Sequence, residues 1–261
     1  MTLTVKRAGS GEPVVLIHGL GMRGAAWGPV SELVAQERAV ITVDLPGFGS
    51  TEPDGTEPSV PALADRLERF FEEEGLERPH VAGSSMGGAV ALELGGRGAV
   101  RSVTAFSPIG FWGAPGRRWA AGILGGGVEV GRRAPKKRVP DAVRAAFSRP
   151  ALFLYSTGRP WHLPREEVLA IVDEGTAAPS FDAAVELTRD YEFREIGLLP
   201  EIPVTIAWGT RDVLLTYATQ SRRARKLAPF ARHVTLRRCG HVPFFDDPER
   251  CAEVILQTTG G

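Results

Sequence analysis

Three residues far apart in the chain have the types and settings of an acyl-transfer site. Ser85 lies in Val81-Ala82-Gly83-Ser84-Ser85-Met86-Gly87-Gly88, a G-x-S-x-G pattern at Gly83, Ser85 and Gly87. An apolar run precedes it and the helix-like run Ala89 to Leu94 follows, as a sharp strand-to-helix turn requires. Such a turn lifts one hydroxyl above a sheet edge and leaves no room for side chains two residues either side. The helix it opens aims its first amides at developing negative charge. Asp212, in Trp208-Gly209-Thr210-Arg211-Asp212, follows one apolar run. His241, in Cys239-Gly240-His241, follows the next. A serine hydroxyl needs a base to take its proton. An imidazole is that base, and a carboxylate fixes its tautomer and stabilises the imidazolium. The order Ser85, Asp212, His241 matches one of the known triad orders.

The turn chemistry also points to an anion hole. The loop Leu16-Ile17-His18-Gly19-Leu20-Gly21 follows a buried-strand pattern directly, and an amide there can supply half of it. The backbone N–H groups of Leu20 and Met86 are the candidates. His18 itself reads as a structural imidazole bonding its own loop. Asp246 and Asp247 come too soon after His241 to hold its ring and read as caps of a following helix.

These residues must be positioned by a sheet. Val14 to Ile17, Ala39 to Val43, His80 to Ala82, Val100 to Phe106, Pro203 to Trp208 and His233 to Leu236 are short apolar runs. Helical patterns over Ala25 to Gln36, Ser59 to Glu74 and Gly87 to Leu94 separate the first of them. That alternation predicts an α/β fold, a mostly parallel doubly wound sheet with right-handed crossovers and helices on both faces. The three residues then sit at the carboxyl ends of strands, where open sheets gather function.

The alternation breaks after Phe106. Helical patterns at Ala142 to Phe147, Arg165 to Glu174 and Phe181 to Phe193 suggest a helical insertion over 111–198, inside a core of 1–110 and 199–261. Gly125-Gly126-Gly127 reads as a flexible break in it. Aromatic side chains are frequent there, and Phe111, Trp112 and Tyr191 are the candidate pocket residues. Residues 111–150 carry nine basic groups against two acidic ones, and residues 165–195 carry three arginines against nine acids. Mutual pairing or solvated faces is the preferred reading of that split. The alternative is an anion-binding role for Arg132, Arg133, Lys136 and Lys137.

Composition bounds the rest. The chain has 261 residues, 31 basic and 31 acidic, so no net field would draw in nucleic acid or an anionic membrane. Cys239 and Cys251 cannot make a disulfide framework or a four-cysteine zinc site; Cys239 reads as a small core residue on a strand. No apolar run reaches membrane-spanning length, and the N-terminus lacks a signal-peptide core. The expectation is a cytoplasmic protein with a small-molecule acyl substrate, as a monomer or small homo-oligomer.

The motifs His18-Gly19, Asp44-Leu45-Pro46-Gly47-Phe48-Gly49-Ser50, the serine turn, Gly209-Thr210-Arg211-Asp212 and Gly240-His241 resemble those of the α/β-hydrolase superfamily. That resemblance implies the triad Ser85, Asp212 and His241, oxyanion amides at Leu20 and Met86, and a helical cap at about 111–198. No metal or organic cofactor is implied. Only about a dozen residues precede the first parallel strand, room for one edge strand (Leu3 to Ala8). Seven strands are therefore expected where the family usually has eight. The elbow serine differs from the aspartate nucleophile of epoxide hydrolases and haloalkane dehalogenases. Proline iminopeptidases carry an H-G-G-P-G loop, absent here. The Ser-Met-Gly-Gly run is similar to that of C–C bond hydrolases, but Ser84 and Val242 replace their usual asparagine and tryptophan. The expected activity is cleavage of a carboxylic ester or related acyl compound through an acyl-enzyme. C–C hydrolysis, perhydrolysis or lyase chemistry on the same triad is one alternative. A ligand receptor with a slow vestigial site is another.

Overall fold

The computed structural model describes residues 2–133 (side chains as far as 126), 156–160, 163, 177–194 and 197–260. Its elements are β1 (Val5–Ala8), β2 (Pro13–Ile17), α1 (Gly28–Val34), β3 (Ala39–Val43), α2 (Val60–Glu73), β4 (His80–Ser84), α3 (Met86–Gly96) and β5 (Ser102–Phe106). Then come α4 (Ala114–Arg133), α5 (Phe181–Arg189), β6 (Val204–Gly209), α6 (Arg222–Leu227), β7 (Arg232–Leu236) and α7 (Pro248–Thr258). The strands form one seven-stranded sheet in the order β1-β3-β2-β4-β5-β6-β7. β1 runs antiparallel to β3 and every other pairing is parallel. The expected seven strands and single edge strand are therefore present.

Side-chain alternation builds two cores from the same strands. On β2, Val15 and Ile17 enter the core beneath α2 and α3, with Leu63, Leu67, Phe70, Val90 and Leu94. Val14 and Leu16 enter the opposite core with Trp27, Val30 and Val34 at α1 and Cys251, Val254 and Ile255 on α7. Each fully buried aliphatic side chain contributes about 1.5–3 kcal/mol, so both faces of the central strands must be apolar. That is why these strands read as continuous apolar runs.

The register matters for the site. Ile17 stands opposite Gly83, Ser84 opposite Phe106, Phe106 opposite Ala207 and Gly209 opposite Leu236. The segments that follow β2, β4, β6 and β7 thus leave the sheet along one edge.

Several expectations need correction. α4 runs from Ala114 to Arg133 straight through Gly125-Gly126-Gly127, so no break occurs there. Packing explains it: Ala120 is buried and Ile123 and Leu124 lie against the core, which offsets the roughly 1 kcal/mol that each helical glycine costs relative to alanine. The pattern at Phe181 to Phe193 is helical only to Arg189. Beyond it, Trp112 Nε1 donates to Tyr191 O at 2.8 Å and Phe193 N to Gly110 O at 3.0 Å, which draw the chain out of the helix. Cys239 is a buried core residue as read, but it follows β7 instead of lying on it. The patterns at Ala142 to Phe147 and Arg165 to Glu174 lie outside the described residues.

The helix expected after His241 is α7. Asp247 caps it, its Oδ1 accepting from Arg250 N at 3.0 Å, with Pro248 in the first turn. Asp246 does not cap it. Among the described residues, no helix is long and apolar enough to cross a membrane.

Candidate active site

Ser85 occupies the turn between β4 and α3 with φ 55° and ψ −115°. Its N–H donates to Phe106 O at 2.9 Å, and its carbonyl accepts from Ala89 N and Ile109 N at 3.1 and 3.2 Å. A left-handed, non-glycine backbone of this kind costs about 1–3 kcal/mol and persists only where its surroundings enforce it. The flanking glycines are part of that enforcement. A Cβ on Gly83 would stand 2.1 Å from Gly87 O, and one on Gly87 would stand 2.4 Å from His18 O. Gly87→Ala is accordingly expected to lower stability by about 3 kcal/mol through forced backbone movement. Gly126→Ala meets nothing within 4 Å on α4 and is expected to stabilise by up to about 1 kcal/mol. Urea unfolding midpoints of the two variants check both signs.

Asp212 and His241 form a hydrogen-bonded pair, Nδ1 to Oδ2 at 3.0 Å, with both side chains buried. Asp212 Oδ1 accepts from Leu215 N at 2.8 Å, so the carboxylate is held from two sides. With Nδ1–H given to Asp212, the lone pair of the ring lies on Nε2. His241 and Ser85 line the same cavity, about 300 Å³ in volume.

Leu20 and Met86 line that cavity too. Met86 is the first residue of α3, where a helix N–H lacks an intrahelical acceptor. The Leu20 loop lies against the serine: a Cβ on Gly19 would stand 3.2 Å from Ser85 Cβ. His18 is structural, as read. Its Nδ1 faces Gly19 O at 2.8 Å and its Nε2 accepts from Leu45 N at 3.0 Å. Both nitrogens are occupied, and burial pushes the imidazole below its usual pKa, which favours the neutral ring. Asp44 ties the neighbouring loop, its two oxygens accepting from Gly24 N at 2.7 Å and Ser50 N at 2.8 Å.

Of the three candidate pocket aromatics, only Trp112 reaches the cavity. Phe111 is fully buried and packs on Phe193 and Trp208 at ring-centroid distances of 4.8 and 6.3 Å. Tyr191 lies over Gly110, where a Cβ would come within 2.8 Å of its ring. Both rings pack the segment between β5 and β6 onto the hydrophobic core. The wall is instead built by Ala120, Ile123 and Leu124 of α4, Phe181 and Val185 of α5, and Leu214. Sequence reasoning favoured aromatic rings, and most of this wall is aliphatic. The helical spacing of 120, 123 and 124 is the signal that could have found it.

Arg117 of the basic stretch pairs with Asp190 and Glu192 of the acidic one at 3.4 and 3.5 Å. This is one pairing between the two charge halves, and Arg117 also lines the cavity. Lys136 and Lys137 lie outside the described residues, as do the side chains of Arg132 and Arg133.

A mostly parallel sheet, a serine at a strained strand-to-helix turn, and an acid–histidine pair at the same edge are the parts of an α/β hydrolase. The model of the alpha/beta hydrolase family matches residues 14–254, and the chain belongs to that family. It is 27% identical over 274 residues to the pimeloyl-[acyl-carrier protein] methyl ester esterase of Aeromonas salmonicida, covering 100% of both chains. It is 30% identical over 208 residues to an epoxide hydrolase of Mycobacterium tuberculosis, covering 74% of this chain and 91% of that protein. Among solved structures, a bacterial membrane phospholipase A aligns with TM-score 0.75 and 27% identity, over 99% of this chain and 82% of that one.

Proposed function

We propose that this hydrolase cleaves carboxylic esters or related acyl compounds through a covalent acyl-enzyme on Ser85. The observation that carries the reading is the 3.0 Å Asp212–His241 pair on the cavity that Ser85 also lines. His241 Nε2 takes the hydroxyl proton as Ser85 Oγ attacks the carbonyl carbon. The tetrahedral oxyanion forms against the N–H groups of Leu20 and Met86. His241 returns the proton to the leaving alcohol. Water then attacks the acyl group by the same route and frees the acid. Asp212 holds the ring in the required tautomer throughout.

A serine rather than a carboxylate at the elbow favours acyl transfer over the epoxide opening named for one relative. The segment 111–198 is read as a cap, because α4 and α5 wall the cavity above Ser85. The wall is mostly apolar, although Arg117 and Arg189 also line it, and its apolar part suits an uncharged acyl chain. Its volume, about 300 Å³, is at the lower end of the roughly 300–1,000 Å³ of ligand pockets. Short to medium acyl groups should therefore fit best.

A panel of p-nitrophenyl esters from acetyl to dodecanoyl tests this, with Ser85→Ala as control. Turnover should peak at short to medium chains. Val185→Phe should cut kcat/KM for octanoyl by about tenfold or more while sparing acetyl, since a misfitted methylene or two is worth 10–200-fold. No turnover of any ester, alongside cleavage of a C–C bond substrate, would move the reading to the other chemistry of this triad. Tight ligand binding without turnover would move it to a receptor.

A further inference from the structure

The loop that bears His241 is held by a segment from the stretch between β5 and β6. Val242 N donates to Ser156 O at 2.6 Å. Gly240 N donates to Asp246 Oδ2 at 2.8 Å, and the same oxygen accepts from Gly158 N at 2.8 Å. Asp246 Oδ1 accepts from Thr157 Oγ1 at 2.7 Å. Both chain neighbours of His241 thus have their N–H groups held, one by Asp246 and one by the segment itself. The acid loop is tied to the same place. Arg211, next to Asp212, donates from Nη1 to Gly158 O at 2.8 Å and from its backbone N to Cys239 O at 2.8 Å.

These contacts leave no slack. A Cβ on Gly158 would stand 2.3 Å from Arg238 O, and one on Gly240 would stand 2.4 Å from Gly158 N. Asp246 is only 9% exposed, and its three donors satisfy a carboxylate that would be costly to bury alone. Capping of α7 does not explain it, because Asp247 performs that task.

We propose that Asp246 is a positioning residue for His241, and that with segment 156–160 it braces the base loop and the acid loop into one unit. The proposal rests on the serine-hydrolase reading above. Asp246 touches no reacting atom; it acts through the backbone on either side of the base. Small displacements there matter, because a shift of about 1 Å at a reacting group can cost about a hundredfold in rate.

Two substitutions separate geometry from bulk. Asparagine at 246 can keep the heavy-atom arrangement: its oxygen accepts from Gly158 N and Gly240 N, and its NH₂ donates to Thr157 Oγ1, which accepts this second bond beside the one from Arg159 N by turning its own O–H away. Alanine loses all three bonds. The assay is kcat and KM on an ester that the wild type hydrolyses, with kcat divided by the sites titrated with a fluorophosphonate. Asp246→Ala should lower kcat per titrated site by about 10–100-fold, with KM within about twofold, since uniform substrate binding is untouched. Asp246→Asn should keep most of the activity. A folded alanine variant with wild-type kcat per site overturns the proposal, and so does an asparagine variant as impaired as alanine. Should Asp246→Ala fail to fold, Thr157→Val removes one donor to Asp246 and the acceptor of Arg159 N, and leaves the bonds from Gly158 N and Gly240 N to Asp246. It should cost at least about 2–10-fold in kcat, the worth of the bond to Asp246 alone, and an unchanged kcat overturns the brace. Failure of the underlying reading looks different: the wild type itself would show no ester turnover and no labelling at Ser85.

Discussion

Ser85→Ala should abolish covalent labelling by a fluorophosphonate and lower ester turnover by about 10⁶-fold, the scale of losing the nucleophile in a serine hydrolase. The substitution removes one oxygen and leaves a Cβ of the same size in the same backbone. The turn is held by Gly83, Gly87 and the backbone bonds to Phe106 O and from Ile109 N, none of which involves the hydroxyl. The variant should therefore keep the wild-type circular dichroism spectrum and unfolding midpoint. Intact-protein mass after incubation with the probe reads the result directly: a single adduct on the wild type and none on the variant. An adduct of undiminished yield on Ser85→Ala would place the reactive group elsewhere and end the acyl-enzyme mechanism.

The second large effect belongs to the acid. Asp212→Asn should lower kcat by about 10⁴-fold, as tautomer reversal does in triads of this kind. The reason lies in two hydrogen bonds on one side chain. Asp212 Oδ1 accepts from Leu215 N and Oδ2 from His241 Nδ1. An asparagine has one oxygen for the two donors. If its oxygen serves Leu215, its NH₂ confronts Nδ1 and drives the proton to Nε2, where a lone pair is needed. If its oxygen serves His241, the buried Leu215 N–H meets an NH₂, at a cost of about 1–3 kcal/mol. Either arrangement impairs the site, the first through rate and the second through stability. Burst titration with thermal unfolding on the same preparation distinguishes them. A loss below about tenfold in kcat, with stability unchanged, would mean that another acid supports the histidine.

Much of this was legible because it is local. A strand-to-helix turn with φ near 55° needs glycines at Gly83 and Gly87 whatever surrounds it. Strands covered on both faces need apolar runs, and those at β2, β3 and β4 begin and end within about two residues of where the sequence puts them. The structural role of His18 was readable from its place directly after β2. The candidate site shares that legibility in part. The sheet register brings the ends of β4, β6 and β7 to one edge, so residues just past them could be paired by order alone.

The pocket was not legible in that way. Phe111, Trp112 and Tyr191 are all aromatic and close in the fold, yet one faces the cavity and two pack the segment between β5 and β6 onto the hydrophobic core. Composition cannot separate those outcomes, since both bury a ring. The triple glycine failed as a signal for a related reason. Backbone freedom makes a break possible, but tertiary burial of Ala120, Ile123 and Leu124 outweighs it. Asp246 and Asp247 differ in neither type nor neighbourhood, yet one caps α7 and the other joins two segments some ninety residues apart.

By itself, then, the order of residues determined the strands, the strained serine turn, and an acid and a histidine just past two strands that end at the same sheet edge, because each follows from short-range sterics and burial. Which side chains line the cavity, and what holds the histidine loop in place, only the folded molecule decided. Those depend on donors and surfaces brought together from distant parts of the chain, and no local pattern records which of several chemically equivalent groups will meet them.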